Sequence, residues 1–309
     1  MKKFLLIAAA VLMILYAGVT YYFSTLILNT PDRDIATVYQ MNMDRWNLDL
    51  DSLVQTLPGK EEVNFTSDYD GSNLEGWLFT PGTVKCGIIF AHGYSVNRAN
   101  MLKYTPIFRD CGCAMLLYDH RGHGSSDEAY GSGGDHEADD LITATNFLEE
   151  KTGLRTDQIG WYGESWGGST VIIAAERAEN KPAWLVAESP FSDWYTAVME
   201  RGLKDYGEGL KILTPGAFAW ASARNDMDFY EVSPVKAAAK LEVPLLLFHS
   251  DSDTLTGPAQ SKLIADATPE ELVTYHALNW GAWHAHNVIW RPDEYKEKVL
   301  DFVGDFCEE

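Results

Sequence analysis

A short β-like run, Gln158-Ile159-Gly160-Trp161-Tyr162, leads into Gly163-Glu164-Ser165-Trp166-Gly167 and then into a helix-like stretch from Ser169 to Glu179. This arrangement limits the fold more than any other feature of the chain. It describes a serine raised on a strand-to-helix turn so sharp that the positions two before and two after it must lack side chains. A turn of this kind belongs at the end of a strand, in a sheet on which helices pack. It holds a hydroxyl clear of the backbone for attack on a carbonyl, and Ser165 is therefore the candidate nucleophile.

The surroundings agree with such a sheet. From Glu62 onward short apolar strands alternate with amphipathic helices, the pattern of an α/β fold with a mostly parallel sheet covered on both faces. Glu62 to Thr66 and Leu74 to Phe79 flank Asp70-Gly71, which reads as a hairpin turn. The later strands, Gly87 to Ala91, Ala114 to Tyr118, Ile159 to Tyr162, Trp184 to Ala187, Leu245 to His249 and Leu272 to Ala277, are continuous apolar runs, as buried parallel strands should be. Helices are expected at Arg98 to Asp110, Glu137 to Lys151, Ser165 to Glu179 and Pro292 to Phe306. Residues 192–241 separate two strands by far more chain than a minimal connection needs, and read as a small helical cap insertion. In open α/β sheets ligands bind beyond the carboxyl ends of the strands. Trp194, Tyr195, Met199, Trp220, Phe229 and Tyr230 of the insertion are thus expected to line a substrate pocket, the alternative being that they pack only among themselves.

The first residues are different in kind. After Lys2 and Lys3, the chain runs from Phe4 to Leu28 without a charge, long enough to span a bilayer and longer than the apolar core of a typical signal peptide. Residues 1–28 are expected to be an uncleaved transmembrane signal-anchor, with cleavage and secretion as the alternative. The two lysines put the N-terminus in the cytoplasm and the rest outside it. Residues 29–60 form a polar connector with Ala36, Tyr39, Met43 and Trp46 at helical spacing, and residues 61–309 form one large domain. The formal net charge of −21 argues against nucleic acid as a partner and against attachment through a basic patch.

Four cysteines are too few for a disulfide scaffold. Cys86 lies six residues before His92 and Cys113 six before Asp119, each pair bracketing a strand, so the two thiols sit level if those strands are parallel neighbours. An exported domain could oxidise them, with Cys111 as the competing partner and Cys307 left over; buried free thiols are the other reading.

A serine nucleophile needs a base to take its proton and a carboxylate to orient that base. Two loops after later strands offer them. Ser250-Asp251-Ser252-Asp253-Thr254 holds two acids, and Asn279-Trp280-Gly281-Ala282-Trp283-His284-Ala285-His286 holds two histidines, giving the chain order serine, aspartate, histidine. His284-x-His286 has no third ligand at a recognisable spacing, so no metal is expected, and the absence of a Gly-rich dinucleotide or Walker loop leaves no nucleotide cofactor to expect.

With these residues in view, the chain resembles the α/β-hydrolase superfamily, in the branch of monoglyceride lipases, small carboxylesterases and related serine peptidases. Ile88-Ile89-Phe90-Ala91-His92-Gly93-Tyr94 is similar to the strand and His-Gly turn of that family. Asp119-His120-Arg121-Gly122-His123-Gly124-Ser125-Ser126 resembles its Asp-x-Arg-Gly-x-Gly-x-Ser segment. Leu247-Phe248-His249-Ser250-Asp251-Ser252-Asp253 is similar to its His-Gly-x-x-Asp, and Gly281-Ala282-Trp283-His284 to its Gly-x-Gly-His, with Trp283 in place of the second glycine. The resemblance implies an eight-stranded α/β-hydrolase fold, Asp253 as the acid rather than Asp251, and His284 as the base rather than His286. It also implies an oxyanion hole formed by the backbone amides of Tyr94 and Trp166. His92, Asp119, Arg121 and His123 are then structural. The activity implied is hydrolysis of carboxylic esters, lipid-derived ones among them, through an acyl-enzyme. A peptidase or amidase of the same fold, or a silent hydrolase-like binding module, is the alternative.

Overall fold

The computed structural model describes residues 1–31 and 33–307. One eight-stranded sheet organises them, built from β1 (Lys60–Thr66), β2 (Asn73–Phe79), β3 (Cys86–Ala91), β4 (Cys113–Tyr118), β5 (Ile159–Glu164), β6 (Leu185–Glu188), β7 (Leu245–Ser250) and β8 (Val273–Leu278). Their spatial order is β1-β2-β4-β3-β5-β6-β7-β8. β2 runs antiparallel to β1 and β4, and the remaining pairings are parallel. The central strands β3 to β7 are buried at every position, because helices cover both faces. This is the α/β-hydrolase architecture that the sequence implied.

Two apolar layers flank the sheet. On one face Leu141, Leu148, Val171 and Ile172 of α4 (Asp135–Thr152) and α5 (Trp166–Arg177) pack with Ile89, Leu116 and Leu247. On the other, Met101, Leu102 and Phe108 meet Tyr295 and Val299 of α11 (Pro292–Val303) and, from the connector, Val38 of α2 (Ile35–Trp46) and Leu50 of α3 (Leu50–Gln55). The segment expected as a helix from Arg98 is a 3-10 helix over Arg98–Ile107, and Pro106 inside it has no amide with which to continue an α-helical ladder. β6 lies one residue later than expected. Two short helices absent from the sequence reading, α9 (Pro258–Ala267) and α10 (Asn287–Trp290), follow β7 and the loop after β8.

The cysteines are all paired. Parallel register sets Cys86 opposite Cys113, and the two form a disulfide. Cys307 is not left over, contrary to the expectation: the last turn after α11 returns to the start of β4 and bonds Cys111, across 196 residues of sequence.

The cap holds α6 (Trp194–Tyr206), α7 (Leu210–Asn225) and α8 (Pro234–Ala238). The pocket expectation for its aromatic residues needs correction. Trp194 reaches Trp166, with ring centroids 4.9 Å apart, but Tyr195, Phe218, Phe229 and Tyr230 pack against one another edge-on or tilted and Trp220 meets Tyr21. Phe218 and Phe229 join the main core together with Trp194, whereas Tyr195, Trp220 and Tyr230 stay exposed on the cap. The N-terminal helix α1 (Lys2–Leu28) has an exposed first half, whereas its last turns pack along α7 and end in the main core at Ile27 and Leu28.

Candidate active site

The turn between β5 and α5 fits only the residues it has. Ser165 takes φ 51° and ψ −115°, outside the regions an L-residue ordinarily occupies. A Cβ on Gly163 would lie 2.2 Å from the Gly167 carbonyl oxygen, and one on Gly167 would lie 2.0 Å from that of Ala91. Both glycines are therefore steric requirements of the turn. The Ser165 amide donates to the Glu188 carbonyl at 2.7 Å, which anchors the strained residue to the end of β6.

The loops after β7 and β8 meet at this turn. The Ser165 hydroxyl lies 2.7 Å from Nε2 of His284, and Nδ1 of His284 lies 2.6 Å from Oδ2 of Asp253. Ser165 and His284 are partly exposed, and Asp253 is buried. Burial alone would raise the Asp253 carboxyl. The His284 imidazole beside it and hydrogen bonds from His249 and His284 outweigh that effect and hold it well below the usual carboxylate range. Such a carboxylate stays ionised and fixes the ring so that Nδ1 carries the proton and Nε2 is free to accept one.

The competing residues lie elsewhere. Asp251 is exposed at the surface of its loop. His286 directs Nδ1 at the His284 carbonyl and packs its ring on Trp46, 4.4 Å between centroids; burial first, then the nearby Lys103, lower its pKa to about 3. No group of three metal-binding side chains occurs among the described residues. His92 has its Nδ1 on the Gly93 carbonyl at 2.8 Å and accepts at Nε2 from the His120 amide at 3.0 Å, so both ring nitrogens serve the turn after β3. Asp119 is held by Arg98 and by the Ser125 amide, and Arg121 joins Asp140 and Asp70. These are ties between loops.

Tyr94 and Trp166 border the serine. The Cβ of Ser165 comes within 3.3 Å of where a Cβ on Gly93 would be, and the Tyr94 and Trp166 rings stack at 5.6 Å. Among the described residues, neither amide is taken up by a turn, loop or side-chain hydrogen bond. Trp283 causes no conflict in the histidine loop. The left-handed positions there are Gly281 and Ala285, and Trp283 projects into solvent beside Trp46.

Several supporting residues were not singled out in the sequence. His249 is fully buried and places Nε2 3.2 Å from Asp253 Oδ2 and 2.9 Å from the Thr256 carbonyl, while Nδ1 meets the Ser261 hydroxyl at 2.6 Å. Its spacing of four residues from Asp253 was the available signal. Asn287 donates to Glu188, and Tyr104 donates to Glu164 and to the Ala285 carbonyl. No local pattern marks these pairs, which are far apart in sequence.

Residues 101–309, which include Ser165, Asp253 and His284, match the prolyl oligopeptidase family (peptidase S9). The chain belongs to that family. The uncharacterized protein YqkD of Bacillus subtilis (strain 168) is 29% identical over 307 residues, covering 99% of this chain and 98% of its own. The esterase Pf2001 of Pyrococcus furiosus superposes with a TM-score of 0.69 at 21% identity, over 89% of this chain and 98% of the esterase. The α/β hydrolase GrgF of a Penicillium species superposes at 0.63 with 20% identity, over 81% of this chain and all of its own. At these identities the superpositions show the fold alone, which is the α/β-hydrolase fold.

Proposed function

We propose that this protein is a membrane-anchored serine hydrolase that cleaves carboxylic esters outside the cytoplasm. The observation that carries this reading is the continuous chain Ser165 Oγ, His284 Nε2, His284 Nδ1 and Asp253 Oδ2, at 2.7 and 2.6 Å. In the proposed reaction, His284 removes the proton from Ser165 as the oxygen attacks the carbonyl. The amides of Tyr94 and Trp166 donate hydrogen bonds to the oxyanion of the tetrahedral intermediate. His284 then protonates the leaving alcohol, and the same ring activates water to release the acid. Asp253 keeps the ring oriented and stabilises its charged form.

The anchoring part rests on α1, 27 residues long and apolar enough to cross a bilayer, with two lysines at its start. Ile27 and Leu28 in the main core favour retention over cleavage, since removal would open that core. Two disulfides favour an oxidising compartment. The family match favours a second reading, a peptidase with the same three residues. Purified wild type and Ser165→Ala should be assayed against p-nitrophenyl esters of increasing chain length and against aminoacyl p-nitroanilides. Ester turnover lost in the variant is expected; turnover of anilides alone would favour the peptidase. Digestion of the domain by protease added to intact cells would support the orientation, and protection would reject it.

A further inference from the structure

The N-terminal helix does more than trail from the domain. From Tyr16 onward it lies parallel to α7: the Tyr16 hydroxyl donates to the Ile212 carbonyl at 3.0 Å, and Thr20 faces Gly216 so closely that a Cβ there would lie 2.7 Å from its methyl carbon. Two turns further along α7, Arg224 donates to the Ser24 and Thr25 hydroxyls at 2.8 and 2.9 Å and to the Tyr130 hydroxyl at 3.0 Å. Tyr21 packs on Trp220 and Phe23 on Tyr206, at 5.5 and 5.1 Å between centroids. Small residues at a helix crossing, with hydroxyls bonded across it, make a close and directed contact.

This contact conflicts with a freely spanning anchor. Crossing the hydrocarbon takes roughly 20 residues, or about 30 Å. Only Phe4 to Leu15 precede the first contact with the cap, a rise of about 18 Å. Twenty residues counted from Phe4 end at Phe23, which packs on Tyr206, two residues past the Tyr21 contact with Trp220. If α1 stays on α7, the bilayer must reach the cap. Ile212 is 72% exposed there, and Tyr22, Tyr206 and Trp220 along the same contact between α1 and the cap are exposed as well, the aromatic types that favour the membrane interface. Asp205, Glu208 and Lys211 in and beside the turn between α6 and α7 set the depth, because these charges belong among headgroups and not in hydrocarbon. Lys2 and Lys3 can reach outward from the far side, and local thinning can take up the remaining mismatch.

We propose that the cap itself is seated in the headgroup layer of the lipid bilayer, with the turn from Tyr206 to Leu213 at the lipid. This rests on the anchoring reading above. The helix α6, which leads into that turn, also grips the acid loop: Lys204 donates to the Thr254 carbonyl, and Glu200 accepts from Gln260 at 2.7 Å and from the Gly257 amide at 3.2 Å. A cap held in this way places the entrance above Ser165 next to membrane-borne substrates, so esters partitioned into the bilayer reach it without crossing bulk water.

The test uses the full chain in phosphatidylcholine and phosphatidylglycerol vesicles. Because the native cysteines are all in disulfides, a nitroxide can be placed at Leu12→Cys, Ile212→Cys or Asp157→Cys, the last at the opposite end of β5. Collision with a water-soluble nickel chelate is expected to be several-fold lower at position 212 than at 157, and lowest at 12. Gly216→Leu, which forces α7 away from Thr20, is expected to raise access at 212 while leaving 12 protected. Equal access at 212 and 157 with position 12 protected would overturn the seated cap and leave the anchor standing. Free access at position 12 would overturn both.

Discussion

Asn287 donates its side-chain amide to Glu188 across 2.7 Å, and so ties the loop that carries His284 to the end of the strand beside Ser165. Glu188 is fully buried, and the same carboxylate accepts from Tyr295 at 2.6 Å. Burial raises its pKa, and the bonds from Tyr295 and Asn287 offset part of the rise. Asn287→Ala removes the tie without touching Ser165, His284 or Asp253. Hydrolysis should lose about tenfold to a hundredfold in kcat with little change in KM, since a small displacement of a catalytic base is costly. Stability should fall by about 1–3 kcal/mol. Steady-state kinetics and thermal denaturation check both, and an unchanged kcat would remove Asn287 from the positioning of the loop.

A second buried carboxylate sits directly before the nucleophile. Glu164 meets Lys103 at 2.7 Å, both nearly inaccessible, in a contact that is ionic rather than a well-directed hydrogen bond. It also accepts from Asn100 and Tyr104. Glu164→Gln leaves an ammonium buried without its counter-charge and should destabilise the protein by about 3–5 kcal/mol. Adding Lys103→Met should recover most of that loss. Melting temperatures of the two variants decide it, and a pair no more stable than Glu164→Gln alone would contradict this account.

Acid should weaken the fold through its buried histidines. Burial, then the neighbouring His123, lower His120 from 6.5 to about 3, and neither of its ring nitrogens has a hydrogen-bond partner among the described residues. As pH falls from 6.5 toward 3, the unfolded chain binds a proton that the folded chain refuses, so stability drops across that window. Each such histidine contributes on the order of 1 kcal/mol per pH unit. His120→Phe, which keeps an aromatic ring against His92 and Tyr118, should flatten the profile between pH 6.5 and 5 while leaving stability at pH 7.5 nearly unchanged. Melting curves across this range measure it.

What the sequence made legible was local. The strand, the tight turn and the helix around Ser165 are contiguous, and the apolar runs of β3 to β7 announce burial on both faces, so the sheet and the turn can be read residue by residue. The loops bearing Asp253 and His284 follow from their places after strands, and the structure brings both within hydrogen-bonding distance of their neighbours. The pairing of Cys307 with Cys111 and the packing of Thr20 on Gly216 could not be read in this way. Each joins residues nearly two hundred positions apart, and nothing in a single sequence encodes which distant surfaces meet. The cap aromatics were misplaced for a related reason. Composition shows that an apolar cluster must exist, but not whether it faces a ligand or its own helices.

The measurement that bears most directly on the mechanism is covalent labelling with a fluorophosphonate, followed by intact-mass and peptide analysis. The account predicts one adduct per chain, on Ser165, abolished in Ser165→Ala and strongly slowed in His284→Ala while His286→Ala labels at the wild-type rate. An adduct that persists in Ser165→Ala, or that maps to another residue, would contradict it.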